Sequence, residues 1–231
     1  GRTELISASA FYKRFIDPIE LIAFNSAPNE TQPINSGKAD IFGAEIEMRK
    51  AIGFNRKGKE HISFMLGANF TYVVSRIDMN QVQISTGGVT QTEKEIREIN
   101  KREGETIGNF RPMYGQSPYI VNAFVSFRND SLGLNVNLSY NVQGKKLAVI
   151  GVGSVPDVYE QPFHSLNLKV SKTIGKERRW NASITASNLL MSVRQKHYES
   201  YNAESQVYDY FNQGMTISGS IAYTLEGRKK K

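Results

Sequence analysis

The sequence predicts an all-β chain: a transmembrane, antiparallel β-barrel segment of about eight long strands belonging to a larger cylinder. Three observations lead there. Apolar and polar residues alternate with period two in stretch after stretch, which sorts them onto the two faces of a strand and would scatter them around a helix. Most stretches run to about ten residues, where soluble strands usually have five or six and a tilted strand needs 9–11 to cross a bilayer. The connections alternate between short and long, as periplasmic turns and extracellular loops do in an outer-membrane barrel.

Taken in order, the first strand runs from Glu4 to Ile16, with either face a candidate for the apolar one. Phe42, Ala44, Ile46 and Met48 then alternate with Gly43, Glu45, Glu47 and Arg49. A third strand carries Ile62, Phe64, Leu66, Ala68, Phe70, Tyr72 and Val74, and a fourth Tyr119, Val121, Ala123, Val125 and Phe127. The clearest stripe is Leu132, Leu134, Val136, Leu138, Tyr140 and Val142, opposed by Gly133, Asn135, Asn137, Ser139, Asn141 and Gln143. Leu166, Leu168 and Val170 mark the sixth, Trp180, Ala182, Ile184 and Ala186 the seventh, and Met215 to Leu225 the eighth.

Between them, Gly53–Glu60, Asn129–Ser131 and Gly175–Glu177 are short links. Asp17–Lys38, Ile77–Gln116, Gly144–Gln161 and Met191–Gly214 are long ones. The polar faces carry Asn, Ser, Thr and Gly, which suit the wet inner wall of a wide barrel. A closed eight-stranded barrel must fill its interior with bulky side chains, so these strands are expected to form an arc with both end strands pairing elsewhere. Tyr12, Phe15, Tyr72, Tyr119, Phe127, Tyr140 and Tyr223 sit where interfacial aromatic girdles are expected.

Composition removes several classes of function. The 231 residues contain no cysteine, which excludes thiolate metal sites, disulfide scaffolds and cysteine nucleophiles. Three dispersed histidines, His61, His164 and His197, offer no metal-ligand spacing. No run of 18 apolar residues exists for a membrane-spanning helix, and a mean hydropathy of −0.41 fits a transmembrane barrel as well as a soluble protein. Without an N-terminal secretion signal, the chain reads as mature, processed or part of something larger. The net charge of +7 is spread over turns and the tail Arg228–Lys231, so no nucleic-acid partner is expected.

Candidate chemical motifs are weak. Gly151-Val152-Gly153-Ser154-Val155-Pro156 lacks the third glycine and the helix of a nucleotide loop and reads as a flexible loop. Glu45, Glu47 and Arg49 share one face as a lumen charge ladder. Glu93 to Glu105 is expected to form a short helix with i,i+4 ion pairs on an extracellular excursion. No catalytic, cofactor-binding or metal residue is assigned, and no enzyme is expected.

Several stretches resemble the C-terminal barrel of TonB-dependent outer-membrane receptors of the type abundant in Bacteroidota. They are Ile34-Asn35-Ser36-Gly37 leading into Phe42-Gly43-Ala44-Glu45-Ile46-Glu47-Met48-Arg49, then Arg111-Pro112-Met113-Tyr114-Gly115-Gln116-Ser117-Pro118-Tyr119. Pro156-Asp157-Val158-Tyr159-Glu160-Gln161-Pro162 and Ala186-Ser187-Asn188-Leu189-Leu190 follow in the same order. The resemblance implies a barrel of about 22 strands around a plug. It further implies an outer-membrane location and TonB-energised uptake of a large or scarce solute captured by extracellular loops. Residues 1–225 would be the C-terminal portion of that barrel and 226–231 a basic periplasmic tail.

The implied partners are the remaining barrel and plug, TonB acting through that plug, outer-membrane lipid, and a surface lipoprotein lid. The candidate contacts for ligand or lid are Tyr114, His197, Tyr198, Tyr201, Tyr208 and Tyr210, with packing of the loops on themselves as the other reading. The alternative function is a structural barrel subunit of a larger assembly, or an independent small barrel without transport.

Overall fold

The computed structural model describes residues 4–24, 27–56 and 60–225. The expected tail, 226–231, and the centre of the Gly53–Glu60 link lie outside the described residues. Among the described residues, seventeen strands and one helix follow in chain order. The first five are β1 (Leu5–Ile16), β2 (Ile19–Phe24), β3 (Ala27–Asn35), β4 (Lys38–Arg56) and β5 (Glu60–Asp78). The hairpin β6 (Gln83–Thr86) and β7 (Val89–Thr92) leads into α1 (Glu93–Ile99) and β8 (Phe110–Arg111). Then come β9 (Tyr119–Asn129), β10 (Leu134–Gln143), β11 (Lys146–Val152), β12 (Asp157–Glu160) and β13 (Phe163–Ile174). The last are β14 (Trp180–Ser187), β15 (Arg194–Glu199), β16 (Gln206–Phe211) and β17 (Thr216–Tyr223).

The eight long strands form one antiparallel wall in the order β1-β4-β5-β9-β10-β13-β14-β17. Among the described residues β1 pairs only with β4, and β17 only with β14, so the wall is an open arc. Its register sets like on like. Val136 lies opposite Phe127 and Val170, whereas Asn137 lies opposite Ser126 and Lys169. A one-residue slip would exchange the two faces completely, so this sorting fixes the register.

The apolar face carries two aromatic belts. Phe64 packs on Phe127 at 5.0 Å and Trp180 on Tyr223 at 4.7 Å at the short-turn end. Tyr12 packs on Phe42 at 4.9 Å, and Tyr72 lies opposite Tyr119, at the other end. Phe64 and Tyr72 are eight residues apart, on the order of 26 Å of strand, which matches a tilted bilayer crossing. Phe15 departs from the expected girdle. It lies opposite Ala39, on the face away from Tyr12, because the alternation of β1 assigns odd positions to the polar side.

Two ends also shift. Leu132 stands in the turn before β10, where Gly133 takes a φ of +63° and a Cβ would meet the Thr173 carbonyl at 2.8 Å. Met215 and Leu225 fall just outside β17.

The long connections are not loose. Three of them supply a second, six-stranded sheet in the order β16-β15-β12-β11-β2-β3, hereafter the head. Its β11 and β2 pair in parallel, with Ile150 opposite Ile22. Gly151 and Val152 are therefore part of a buried strand, which corrects the flexible-loop expectation for these two residues, while Gly153–Pro156 form the turn into β12. A Cβ on Gly151 would sit 2.1 Å from the Val155 carbonyl oxygen, so the β11–β12 turn folds back onto bare backbone.

The buried hydrophobic core lies in the head. Ile22, Val82, Ile84, Ile96, Leu147, Ile150 and Val152 gather there with Ala39 and Ile77 from β4 and β5. Ala39 and Ile77 are on the face opposite the aromatic belts, so the head covers the mouth of the inner face.

The short helix arises where expected. Thr92 caps α1, accepting from Glu95 N at 3.2 Å while the Glu95 carboxylate accepts from Thr92 N at 2.8 Å. Arg97 pairs with Glu93 and Lys94 with Glu98, both at i,i+4. The helix is more than a solvated excursion, because Glu93 and Ile96 are buried against the head.

Candidate functional site

Two surfaces have the composition of a functional site, the inner wall and the head above it. On the wall, the Asn69 amide donates to Glu45, the Asn122 amide to Asn69 at 3.4 Å, and the Asn141 amide to Asn122 at 2.6 Å. The chain of side chains crosses β4, β5, β9 and β10. Arg49 donates to Glu47 at 2.9 Å one step away, completing the expected charge ladder. Short amides at these positions leave donors and acceptors directed into the space before the sheet, which requires water or another polar surface there.

Two of the phenylalanines on this face cover glycines. The ring of Phe11 lies over Gly43 and that of Phe124 over Gly67, where any Cβ would come within 2.2 Å of a ring carbon. Each glycine leaves a flat site that a cross-strand ring covers.

In the head, five charged groups from four parts of the chain meet. Arg111 donates to Glu93 at 2.7 Å through Nε and to Glu20 at 2.6 Å through Nη2. Arg97 bridges Glu93 at 2.9 Å and Asp157 at 2.8 Å. Tyr114 N donates to Glu20 at 2.7 Å, and Gly151 N to Asp157 at 2.9 Å. The Arg111 and Glu20 side chains are only 5% and 0% exposed. Burial alone would lower the pKa of Arg111. The carboxylates of Glu93 and Glu20 outweigh it and hold that pKa above the ordinary arginine value. Arg97 is likewise raised, with Asp157 outweighing its burial.

The six candidate contacts separate on this frame. Tyr114 packs against the head core and is half-buried. His197 lies within β15 opposite Tyr159, half-buried. Tyr198 and Tyr208 pack edge to face at 5.1 Å against Ala23, Val149 and Val158, where burial raises the pKa of Tyr198. Tyr201 and Tyr210 remain exposed, at 47% and 56%. Tyr201 borders a cleft of about 350 Å³ with Arg97, Lys101, Arg102, Asp157 and Glu199. The structure brings Tyr198 and Tyr208 together and leaves the other four apart.

Sequence reading missed the charge cluster as a unit. Its signal was Glu20, a lone carboxylate in the apolar run Ile19-Glu20-Leu21-Ile22-Ala23-Phe24, which calls for a buried cationic partner.

The family model for TonB dependent receptor-like β-barrels matches residues 1–189, most of the chain. The chain belongs to that family. The receptor barrel is accordingly an outer-membrane protein of a family of transporters and receptors, and the family carries a plug and interacts with TonB. The match ends after β14, so β15 to β17 lie beyond it. Searches of curated proteins and of solved structures each returned no match.

Proposed function

We propose that this receptor barrel takes up a large or scarce solute with energy delivered from the inner membrane, and that the head makes first contact with it. The observation that carries the reading is the hydrogen-bonded polar wall of Glu45, Asn69, Asn122 and Asn141 beneath a folded head. A wall of short polar side chains on an open arc suits a wide, hydrated lumen that a plug can fill and vacate.

Tyr201 and Tyr210 are the candidate residues exposed enough to touch a solute or a lipoprotein lid. Tyr114, His197, Tyr198 and Tyr208 act beneath them by holding the sheet in place. Residues 1–225 serve as the C-terminal part of the barrel in this reading, and β1 and β17 meet other segments of the same receptor.

Uptake by cells carrying the full receptor tests the proposal, with oligosaccharides, metal chelates and peptides as labelled probes. Accumulation of one class that stops when TonB is deleted or the proton gradient is collapsed is the expected result. Equal uptake of every class with TonB absent would overturn it.

A further inference from the structure

We infer that Arg194, at the mouth of the inner wall, captures a carboxylate group of the solute, a reading that rests on the proposed transport. Two cavities meet at this residue. One, of about 240 Å³, lies in the head against Lys196, Asp209 and Phe211. The other, of about 70 Å³, opens between head and wall beside Asn141, Gln143 and Phe163. Glu160 and Arg194 border both, so the arginine stands between head and lumen.

The local fold builds the site. β13 opens on Phe163, which register sets opposite Gln143 on the polar face of the wall. The Arg194 guanidinium stacks on this ring, 4.2 Å from its centroid, and Phe211 lies opposite Arg194 on the neighbouring strand. An arginine held flat in this way is already oriented and presents its N–H edge. That edge is unused. Among the described residues Arg194 donates no hydrogen bond, and the carboxylate within 4 Å, Glu160, stands at 3.8 Å, beyond hydrogen-bond reach. Arg97 and Arg111, by contrast, commit their donors to carboxylates inside the head.

Charge selects the ligand. Lys146 and Lys196 flank the arginine but are paired, with Glu160 at 3.4 Å and Asp209 at 3.2 Å. Three cations thus face two carboxylates, a surplus of one positive charge. A carboxylate balances that surplus and accepts two parallel N–H bonds from the guanidinium fork. A phosphate dianion would bring a second negative charge up to Glu160. The amides of Gln143 and Asn141 lie beside the arginine, and Asn141 already donates to Asn122 at 2.6 Å. A solute anchored at Arg194 therefore stands at the start of the amide line that crosses the inner wall.

Equilibrium dialysis with the full receptor in detergent tests this, using two matched pairs of labelled probes. They are a glucuronic-acid disaccharide with its methyl ester, and a tripeptide acid with its C-terminal amide. The expected result is about tenfold stronger retention of at least one acid than of its neutral mate. Arg194→Gln and Arg194→Lys should both remove that preference, the second because lysine keeps the charge and lacks the fork. Lys172→Gln, a cation on the apolar face near the short-turn end, should leave it unchanged. Heat-modifiable migration on a gel confirms that each variant is folded. Equal retention of acid and neutral forms, retention of neither, or a preference that survives in either arginine variant overturns the proposal. So does displacement of the acid by an equal concentration of inorganic phosphate, which would make this a general anion site. Uptake that ignores TonB would instead count against the transport reading and leave the comparison of probes intact.

Discussion

On the wall, Leu138, Ile184 and Ile217 stand exposed on the apolar face, while the amides of Asn69, Asn122 and Asn141 bond one another on the other face. In the head, Ile22, Leu147 and Ile150 are sealed from solvent, and the buried Glu20, Glu93 and Arg111 are paired with one another. One chain thus follows the rule of membrane proteins over its long strands and the rule of water-soluble domains between them. The difference teaches that apolar alternation here reports the solvent on each side of a sheet. A continuous apolar run, Leu147-Ala148-Val149-Ile150, reports a core.

The largest expected effect breaks the head alone. Arg111→Ala leaves Glu20 and Glu93 buried without their shared cation, a loss of about 3–5 kcal/mol. Hydrogen exchange on the full receptor should show β2, α1 and β11 losing protection while β9 and β10 keep theirs. Uniform loss across both regions would mean that the head and wall are one cooperative unit.

The wall is tested next. Ala123→Arg, midway between the two aromatic belts, should cost about 2–4 kcal/mol, and Asn122→Arg much less. Folding titrations into lipid vesicles measure both, and equal costs at the two positions would reverse the assignment of faces.

The smallest effect concerns alkali. Burial, with the Asp157 charge next, pushes the Tyr159 hydroxyl up to about 12, above its value of about 10 in an unfolded chain. A raised folded value means that the contribution is complete below about pH 10 and is lost as the pH climbs toward 12. Tyr159→Phe should flatten that decline in the head's denaturation midpoint, whereas Tyr223→Phe on the wall should not change it.

The wall was legible in the sequence because period-two sorting is a local signal, complete within each strand. Val136 and Asn137 declare their faces without knowledge of any partner. The head was not legible, since its strands have four to nine residues and its register shifts near Leu147 and Lys196. Its parallel pair, Ile22 with Ile150, joins segments no local pattern connects. The candidate contacts suffered likewise. Aromatic content singled out Tyr198 and Tyr208, and only the packing beneath the β15–β16 ribbon separates them from exposed Tyr201 and Tyr210.

The parallel pairing of residues 22 and 150 also has a temporal consequence. Each wall hairpin closes a short stretch of chain, so β4–β5 or β9–β10 forms at little entropic cost. The head has high contact order, because its core waits for segments from three connections, the last of them following five strands of wall. During biogenesis the barrel should therefore enter the membrane with its extracellular connections still unstructured and slender enough to thread through. They condense only after crossing. Pulse-labelled exchange during refolding into vesicles should find β10 protected before β11, and the reverse order would show that the head folds first and must be carried across whole.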